Sequence, residues 1–155
     1  MMELFLGHVT DFFTNYILVC AFTGWFGAQF IKCVRYIVKN RKFNFSVLMA
    51  SGGMPSSHSA TVCSLVVAAA RVEGMGSTTF ALAFVLAFIV MYDAAGVRRA
   101  AGEQAKVLNR IVEDIQKGET KYLDKRLKEL IGHTPLQVIM GALLGILIPF
   151  IIPVF

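Results

Sequence analysis

The sequence predicts an all-α fold, an integral membrane helical bundle that forms a single membrane domain over residues 1–155. About four membrane helices and additional cytoplasmic amphipathic helices are expected. Hydrophobic residues make up 56% of the chain, far above the level of soluble domains. The net charge of +5 comes from basic residues between apolar runs, which suits a membrane with anionic headgroups and not nucleic acid.

The first predicted membrane helix covers residues 12–31, which carry no formal charge and are long enough to cross a bilayer. Gly24 and Gly27 allow a neighbouring helix to approach closely. Gln29 and Lys32 are three positions apart, so the helix face that they share can turn inward. Five basic residues lie within eleven positions and also fit a headgroup anchor: Lys32, Arg35, Lys39, Arg41 and Lys42.

A polar turn, GGMPSSHS at residues 52–59, leads into the second predicted membrane helix, residues 58–72. Ser56 or Ser57 can cap this helix, whose free N–H groups and partial positive charge can hold phosphate. His58 adds a group that exchanges a proton near neutral pH. The alternative is that the serines only cap the helix and the histidine only fills a polar niche.

The third predicted membrane helix, residues 79–97, contains Asp93 near its end. A carboxylate there is costly unless it is paired or wetted, so Asp93 is a functional candidate. Arg98 and Arg99 follow, and guanidinium groups can bind phosphate through bidentate hydrogen bonds. Arg99 and Glu103 are four positions apart, so a local salt bridge is the alternative.

A second polar turn opens the last predicted membrane helix, residues 136–155. Thr134 is well placed as its N-cap, with a proline as the first helical residue. His133 precedes this cap and, like His58, marks a polar turn before an apolar helix. A G-x-x-x-G pattern at residues 141–145 forms a packing face, and glycine-rich faces of this kind also allow a homo-oligomer.

The distribution of charge predicts the orientation in the membrane. Residues 32–58 carry five Lys/Arg and residues 98–135 carry nine, whereas both termini carry none. The positive-inside rule therefore places both basic connections in the cytoplasm and both termini outside. Amphipathic patterns at residues 107–115 and 123–131 then lie along the membrane surface. Six candidate residues meet at the cytoplasmic boundary: Lys32, His58, Asp93, Arg98, Arg99 and His133.

Three stretches carry a family resemblance: GGMPSSHSA, then D-x-x-GVRR-x-x-GEQA-x-x-LN from Asp93, then GHTPLQV-x-x-G from Gly132. They resemble the divergent branch of the type 2 phosphatidic acid phosphatases. That superfamily also contains acid phosphatases and vanadium haloperoxidases, and its motifs are K-x6-R-P, P-S-G-H and S-R-x5-H-x3-D. In these motifs the last histidine attacks phosphorus, the aspartate orients it, and the P-S-G-H histidine protonates the leaving group.

The resemblance implies roles for the two histidines of this chain. Pro55-Ser56-Ser57-His58 matches the second motif, with Ser57 in place of glycine. His133 and Gln137 match the last histidine and its aspartate, with glutamine in place of the carboxylate. Gln137 can orient an imidazole by a hydrogen bond, although it does not stabilise an imidazolium as a carboxylate does.

The other motif positions depart further from the superfamily. Lys32 and Lys39 have the spacing of the first motif, with lysine in place of arginine and asparagine in place of proline. Leu127 stands where the third motif has arginine. We therefore expect Arg98 and Arg99 to supply the missing guanidinium and Asp93 the missing carboxylate.

The sequence thus predicts a multi-pass membrane phosphatase that hydrolyses a phosphomonoester or diphosphate of a lipid at the cytoplasmic leaflet, without metal or cofactor. His133 attacks and His58 protonates the leaving alkoxide. The two imidazoles are expected within roughly 10 Å of each other, across a phosphate-sized gap. The alternative is a non-catalytic membrane protein that binds or moves anionic lipids through the same basic pocket.

Overall fold

The computed structural model describes residues 1–43, 53–116 and 132–155, and these residues contain helices and no strand. The predicted all-α class is confirmed for this part of the chain. The six helices are α1 (Met2–Phe13), α2 (Tyr16–Asn40), α3 (Ser57–Glu73), α4 (Thr78–Ala95), α5 (Val97–Gln116) and α6 (Pro135–Ile151).

The first long helix begins later and ends later than the predicted span of residues 12–31. Asn15 caps α2, because its side-chain oxygen accepts hydrogen bonds from the amides of Ile17 and Leu18 at 3.0 and 3.2 Å. Phe12 therefore belongs to α1, although hydropathy alone joins it to the next helix. With 25 residues, α2 is about 37 Å long and carries Lys32, Arg35 and Lys39 in its last turns, while Arg41 and Lys42 follow its end.

The centre of the bundle is α3, which packs against α2, α4 and α6. Three glycines let its neighbours come close. A Cβ at Gly24 would lie 2.8 Å from the carbonyl oxygen of Ala60, and a Cβ at Gly145 would clash with the same oxygen. A Cβ at Gly141 would clash with the carbonyl oxygen of Ser56. These three glycines are covered by packing within one chain, so they are not available to a second copy. The predicted homo-oligomer through glycine-rich faces stays a prediction.

The third predicted helix, residues 79–97, ends at Ala95, where Gly96 separates α4 from α5. The amphipathic pattern at residues 107–115 lies within α5, which begins ten residues earlier because Ala, Arg, Glu and Gln favour a helix there. Among the helices of the described part, α5 packs only against α4. The second amphipathic pattern, residues 123–131, lies outside the described residues.

Two stretches are long and apolar enough to cross a membrane, Tyr16–Asn40 and Thr78–Glu113, and α6 is a shorter apolar helix. The predicted count of four crossings and the single domain stay predictions. On α4 the small residues Ala83, Ala87 and Ala94 are buried. Its large apolar side chains are exposed, as expected for a lipid-facing surface, and include Leu82, Phe84, Val85, Phe88, Ile89 and Tyr92.

Candidate functional site

The starts of α3 and α6 lie side by side, which brings the two polar turns of the sequence together. Ser56 caps α3 and Thr134 caps α6, as the turn residues predict. The backbone N–H of Ser56 donates a hydrogen bond of 2.9 Å to the carbonyl oxygen of Gln137, which ties one helix start to the other. The absence of a side chain at Gly141 permits this approach. Two helix N-termini with partial positive charge therefore share one small region.

His58 and His133 meet in this region. Their ring centroids are 5.9 Å apart with an angle of 63° between the ring planes, so the expectation of a separation within roughly 10 Å is confirmed. The expected phosphate-sized gap is wrong for this conformation, because rings at this separation are already in edge-to-face contact. The hydrogen bond between the two helix starts lies beside this ring pair. A phosphoryl group can enter between them only after they separate.

His133 is held by contacts with Gln137 and Ala94. Its Nδ1 lies 3.1 Å from the side-chain oxygen of Gln137, and its backbone N–H donates to the carbonyl oxygen of Ala94 at 3.1 Å. The same Gln137 oxygen accepts a hydrogen bond from the backbone N–H of Thr134 at 3.2 Å, which completes a capping box. Because this oxygen is an acceptor, a neutral His133 carries its proton on Nδ1 and its lone pair on Nε2. The predicted contact between His133 and Gln137 is therefore present, while its role stays a prediction.

The face of α2 that carries Gln29 and Lys32 turns inward, as predicted. The two side chains are 6% and 5% exposed. The ammonium of Lys32 donates a hydrogen bond of 3.2 Å to the hydroxyl of Ser57, the first residue of α3. A cation therefore lies at the start of α3, where the helix dipole also favours an anion.

A cleft of about 730 Å³ opens beside this cation. Its lining includes three basic residues from one face of α2, namely Lys32, Arg35 and Lys39. Gln137, the neighbour of His133, lines the same cleft. Apolar side chains lie alongside these groups, among them Val34, Val38 and Met54. This combination suits an amphiphile with an anionic head.

The other predicted site residues are Asp93, Arg98 and Arg99. Asp93 lies in the last turn of α4 and is half-buried, next to Ala94, whose carbonyl oxygen contacts the backbone of His133. Arg98 and Arg99 lie in the first turn of α5, and their side chains are outside the described part of the structure. Leu127 is also outside it. That Arg98 and Arg99 replace the missing motif arginine, and Asp93 the missing aspartate, stays a prediction.

Sequence reasoning missed three contributors to this region. Arg35 lines the cleft, and its spacing of three from Lys32 could have revealed it. The T-x-x-Q spacing of Thr134 and Gln137 is a capping-box signal that was available in the sequence. The contact from Ala94 depends on tertiary packing, and no sequence signal precedes it.

Comparison with known proteins agrees with the resemblance drawn from the motifs. The family model described as "Divergent PAP2 family" matches residues 13–148. The chain is also similar to the uncharacterized membrane protein YuiD of Bacillus subtilis (strain 168). The two sequences are 39% identical over 155 residues, covering 94% of this chain and 98% of the relative. No solved structure matches the chain.

Proposed function

The chain belongs to the Divergent PAP2 family, and from this premise we propose that it is a membrane phosphatase that hydrolyses a lipid phosphomonoester or diphosphate. The observation that carries the proposal is the pair of imidazoles, His58 and His133, with centroids 5.9 Å apart at two adjoining helix starts. Once these rings move apart, two imidazoles at adjoining helix starts can serve one phosphorus atom, one as nucleophile and the other as general acid.

In the proposed mechanism, Nε2 of His133 attacks phosphorus and forms an N–P bond. The bond from phosphorus to the lipid oxygen breaks, and His58 gives its proton to the leaving alkoxide. His58 then accepts a proton from the water that hydrolyses the phosphohistidine, which restores both imidazoles. Gln137 acts as a positioning residue, because its side-chain oxygen lies 3.1 Å from Nδ1 and favours the tautomer with a lone pair on Nε2.

The negative charge of the transferring phosphoryl group is stabilised by cations rather than by a metal in this proposal. Lys32 lies at the start of α3, and Arg35 and Lys39 line the adjoining cleft. Preorganised cations and helix N-termini stabilise a phosphoryl transition state effectively in a site that excludes water. We assign Arg98, Arg99 and Asp93 to the same site on the strength of the motif resemblance.

The proposed site faces the cytoplasm, because the charge bias favours that side for the basic end of α2. Cysteines introduced in place of Lys39 and Gly76, after removal of the native cysteines, test this orientation. Both positions are exposed; Lys39 lies in the last turn of α2 near the residues that precede α3, and Gly76 follows the far end of α3. A membrane-impermeant thiol reagent added to intact cells should label position 76 and not position 39. Labelling of position 39 from outside contradicts the cytoplasmic site.

A second candidate function is the binding or movement of anionic lipids without hydrolysis. The observation that favours it is the burial of His133, which is 1% exposed with its Nε2 buried. The phosphatase therefore has to separate the ring pair during turnover, whereas a lipid-binding protein does not. The cleft and its three basic residues serve either function.

The test is phosphate release by the purified protein in detergent. The panel contains phosphatidic acid, a polyprenyl diphosphate and phosphatidylglycerol, a phosphodiester of the same net sign. We expect release from the first two lipids and not from the third. His133→Ala should lower the rate by at least about a hundredfold, since it removes the nucleophile. Binding of phosphatidic acid without release from any lipid favours the second candidate.

A further inference from the structure

The contact between Lys32 and Ser57 has a direction that follows from the chemistry of the two groups. An ammonium has three N–H donors and no acceptor, so the Ser57 hydroxyl accepts the hydrogen bond of 3.2 Å. The O–H proton of Ser57 therefore points elsewhere. Within residues 1–43, 53–116 and 132–155, no group accepts that proton, and Ser57 is the sole hydrogen-bond partner of the Lys32 ammonium.

Both side chains are buried, at 5% exposure for Lys32 and 4% for Ser57. A buried cation is costly unless an anion or several hydrogen bonds compensate it. In the described part of the chain Lys32 forms no ion pair, so its one compensating group is a neutral hydroxyl. The donors at this helix start are two further N–H groups of Lys32, the Ser57 hydroxyl and the α3 amides that precede Ser59, whose own N–H donates to the Ser56 hydroxyl. These groups are all donors, and a set of donors beside a cation fits an oxyanion.

We propose that Ser57 determines the specificity of this site by donating its hydroxyl proton to an oxygen of a terminal phosphoryl group that Lys32 holds. A terminal phosphoryl group has three unesterified oxygens to accept these donors, whereas a phosphodiester has two. The Ser57 hydroxyl thus favours a phosphomonoester or a terminal diphosphate over a diester lipid of the same sign. This inference rests on the phosphoryl ligand of the proposed function. It assigns a task to the residue that replaces the motif glycine.

The contact is built into the fold rather than being a chance surface arrangement. Gly24 lets α2 approach α3 closely, and Lys32 lies about two turns further along the same helix. Ser56 provides the N-cap of α3, so Ser57 is not needed for capping. The hydroxyl of Ser57 is therefore left for a ligand, while its neighbour completes the helix.

The experiment compares the binding of three probes by titration calorimetry on the full chain in detergent. The probes are short-chain phosphatidic acid, short-chain phosphatidylglycerol with the same acyl chains, and inorganic phosphate. Ser57→Ala removes the hydroxyl, and Ser57→Thr keeps it. Ser64→Ala is the matched control, because Ser64 is a buried serine of α3 that donates to the carbonyl oxygen of Gly145 and lies away from Lys32.

We expect the wild type to prefer phosphatidic acid over phosphatidylglycerol, and Ser57→Ala to reduce this preference about tenfold by weakening phosphatidic acid binding alone. Ser57→Thr should retain the preference, and Ser64→Ala should leave it unchanged even if stability falls. Equal loss of inorganic phosphate binding in Ser57→Ala supports the same contact and shows that the lipid tail is not required. An unchanged preference in Ser57→Ala, or no binding of any probe by the wild type, overturns the inference.

These outcomes are separable from the fate of the phosphatase proposal. A preference that depends on Ser57 without phosphate release supports this inference and contradicts catalysis. Phosphate release with an unchanged preference in Ser57→Ala supports catalysis and contradicts this inference. Size-exclusion profiles of the variants establish that each one is folded before its affinity is compared.

Discussion

A cationic side chain lies at each end of α3, and the two differ in how many partners the chain supplies. At the Glu73 end, Arg71 donates hydrogen bonds to the hydroxyl of Tyr16 and, at 3.3 Å, to the carbonyl oxygen of Ile152. The guanidinium carbon also lies 5.7 Å from the ring centroid of Tyr16 and 5.5 Å from that of Phe150. The Tyr16 hydroxyl in turn donates to the carbonyl oxygen of Pro149 at 2.6 Å. The chain itself supplies every partner in this cluster.

At the Ser57 end the cation is Lys32, and its partner is a single hydroxyl. Burial of a polar group therefore does not by itself reveal its purpose. The Arg71 cluster ties α2, α3 and α6 together through groups that are already satisfied. The Lys32 end has surplus donors, and we attribute that surplus to an anionic ligand. Mutations at the two ends should therefore separate stability from ligand binding.

We expect the greatest loss of stability when a side chain is inserted between α3 and α6 at the Ser57 end. A Cβ at Gly141 would clash with the carbonyl oxygen of Ser56, so Gly141→Ala should lower the free energy of unfolding by about 2–3 kcal/mol. Thermal unfolding in detergent measures the change. Gly27→Ala is the matched control, because the nearest atom to its Cβ is 3.9 Å away. Equal stability of the two variants contradicts the close packing of these helix starts.

The next largest effect should distinguish the two cations directly. Tyr16→Phe removes the hydroxyl that bridges Arg71 and Pro149, and it should cost about 1–2 kcal/mol of stability while phosphate release stays unchanged. Lys32→Met removes a buried charge that lacks an anionic partner, so stability should hold or rise. Its affinity for phosphatidic acid should nevertheless fall at least about tenfold.

Unfolding curves and calorimetric titrations of both variants make this comparison. A large loss of stability in Lys32→Met, or a loss of lipid binding in Tyr16→Phe, contradicts the assignment of stability to the Arg71 end and of ligand binding to the Lys32 end. Tyr16→Phe also serves as the control for nonspecific damage, because it lies at the end of α3 that is remote from His58.

The smallest expected effect concerns the cap that supports His133. Thr134→Ala removes a side-chain acceptor for the amide of Gln137, and it should cost about 1 kcal/mol of stability. A modest fall in kcat should accompany it, because Gln137 is then less firmly held beside His133. Thr134→Ser keeps the oxygen and should behave as the wild type in both measurements. If the serine variant is as impaired as the alanine variant, loss of the Thr134 hydroxyl does not cause the fall in stability and kcat.

The sequence predicted those features that depend on local chemistry. Thr134 and Ser56 are caps because their side chains accept from nearby amides, and the inward face of Gln29 and Lys32 follows from helical spacing. The start of α2 was misplaced because hydropathy does not register the cap at Asn15.

Other features depend on how helices pack and were beyond a reading of the sequence. The edge-to-face contact of His58 and His133 depends on the packing of α3 against α6, which joins residues far apart in the chain. The pairing of Lys32 with Ser57 likewise requires α2 beside α3. The motifs indicated that His58 and His133 converge, and packing determined how closely.

Trapping the phosphorylated enzyme tests directly whether His133 attacks phosphorus. The purified protein is mixed with lipid that carries a radioactive terminal phosphate, and the reaction is quenched separately in acid and in alkali. A phosphohistidine survives alkali and hydrolyses in acid, whereas a phosphoserine survives acid. We predict label that is stable in alkali, lost in acid and missing from His133→Ala. Label that survives acid, or label of equal intensity in His133→Ala, would contradict attack by His133.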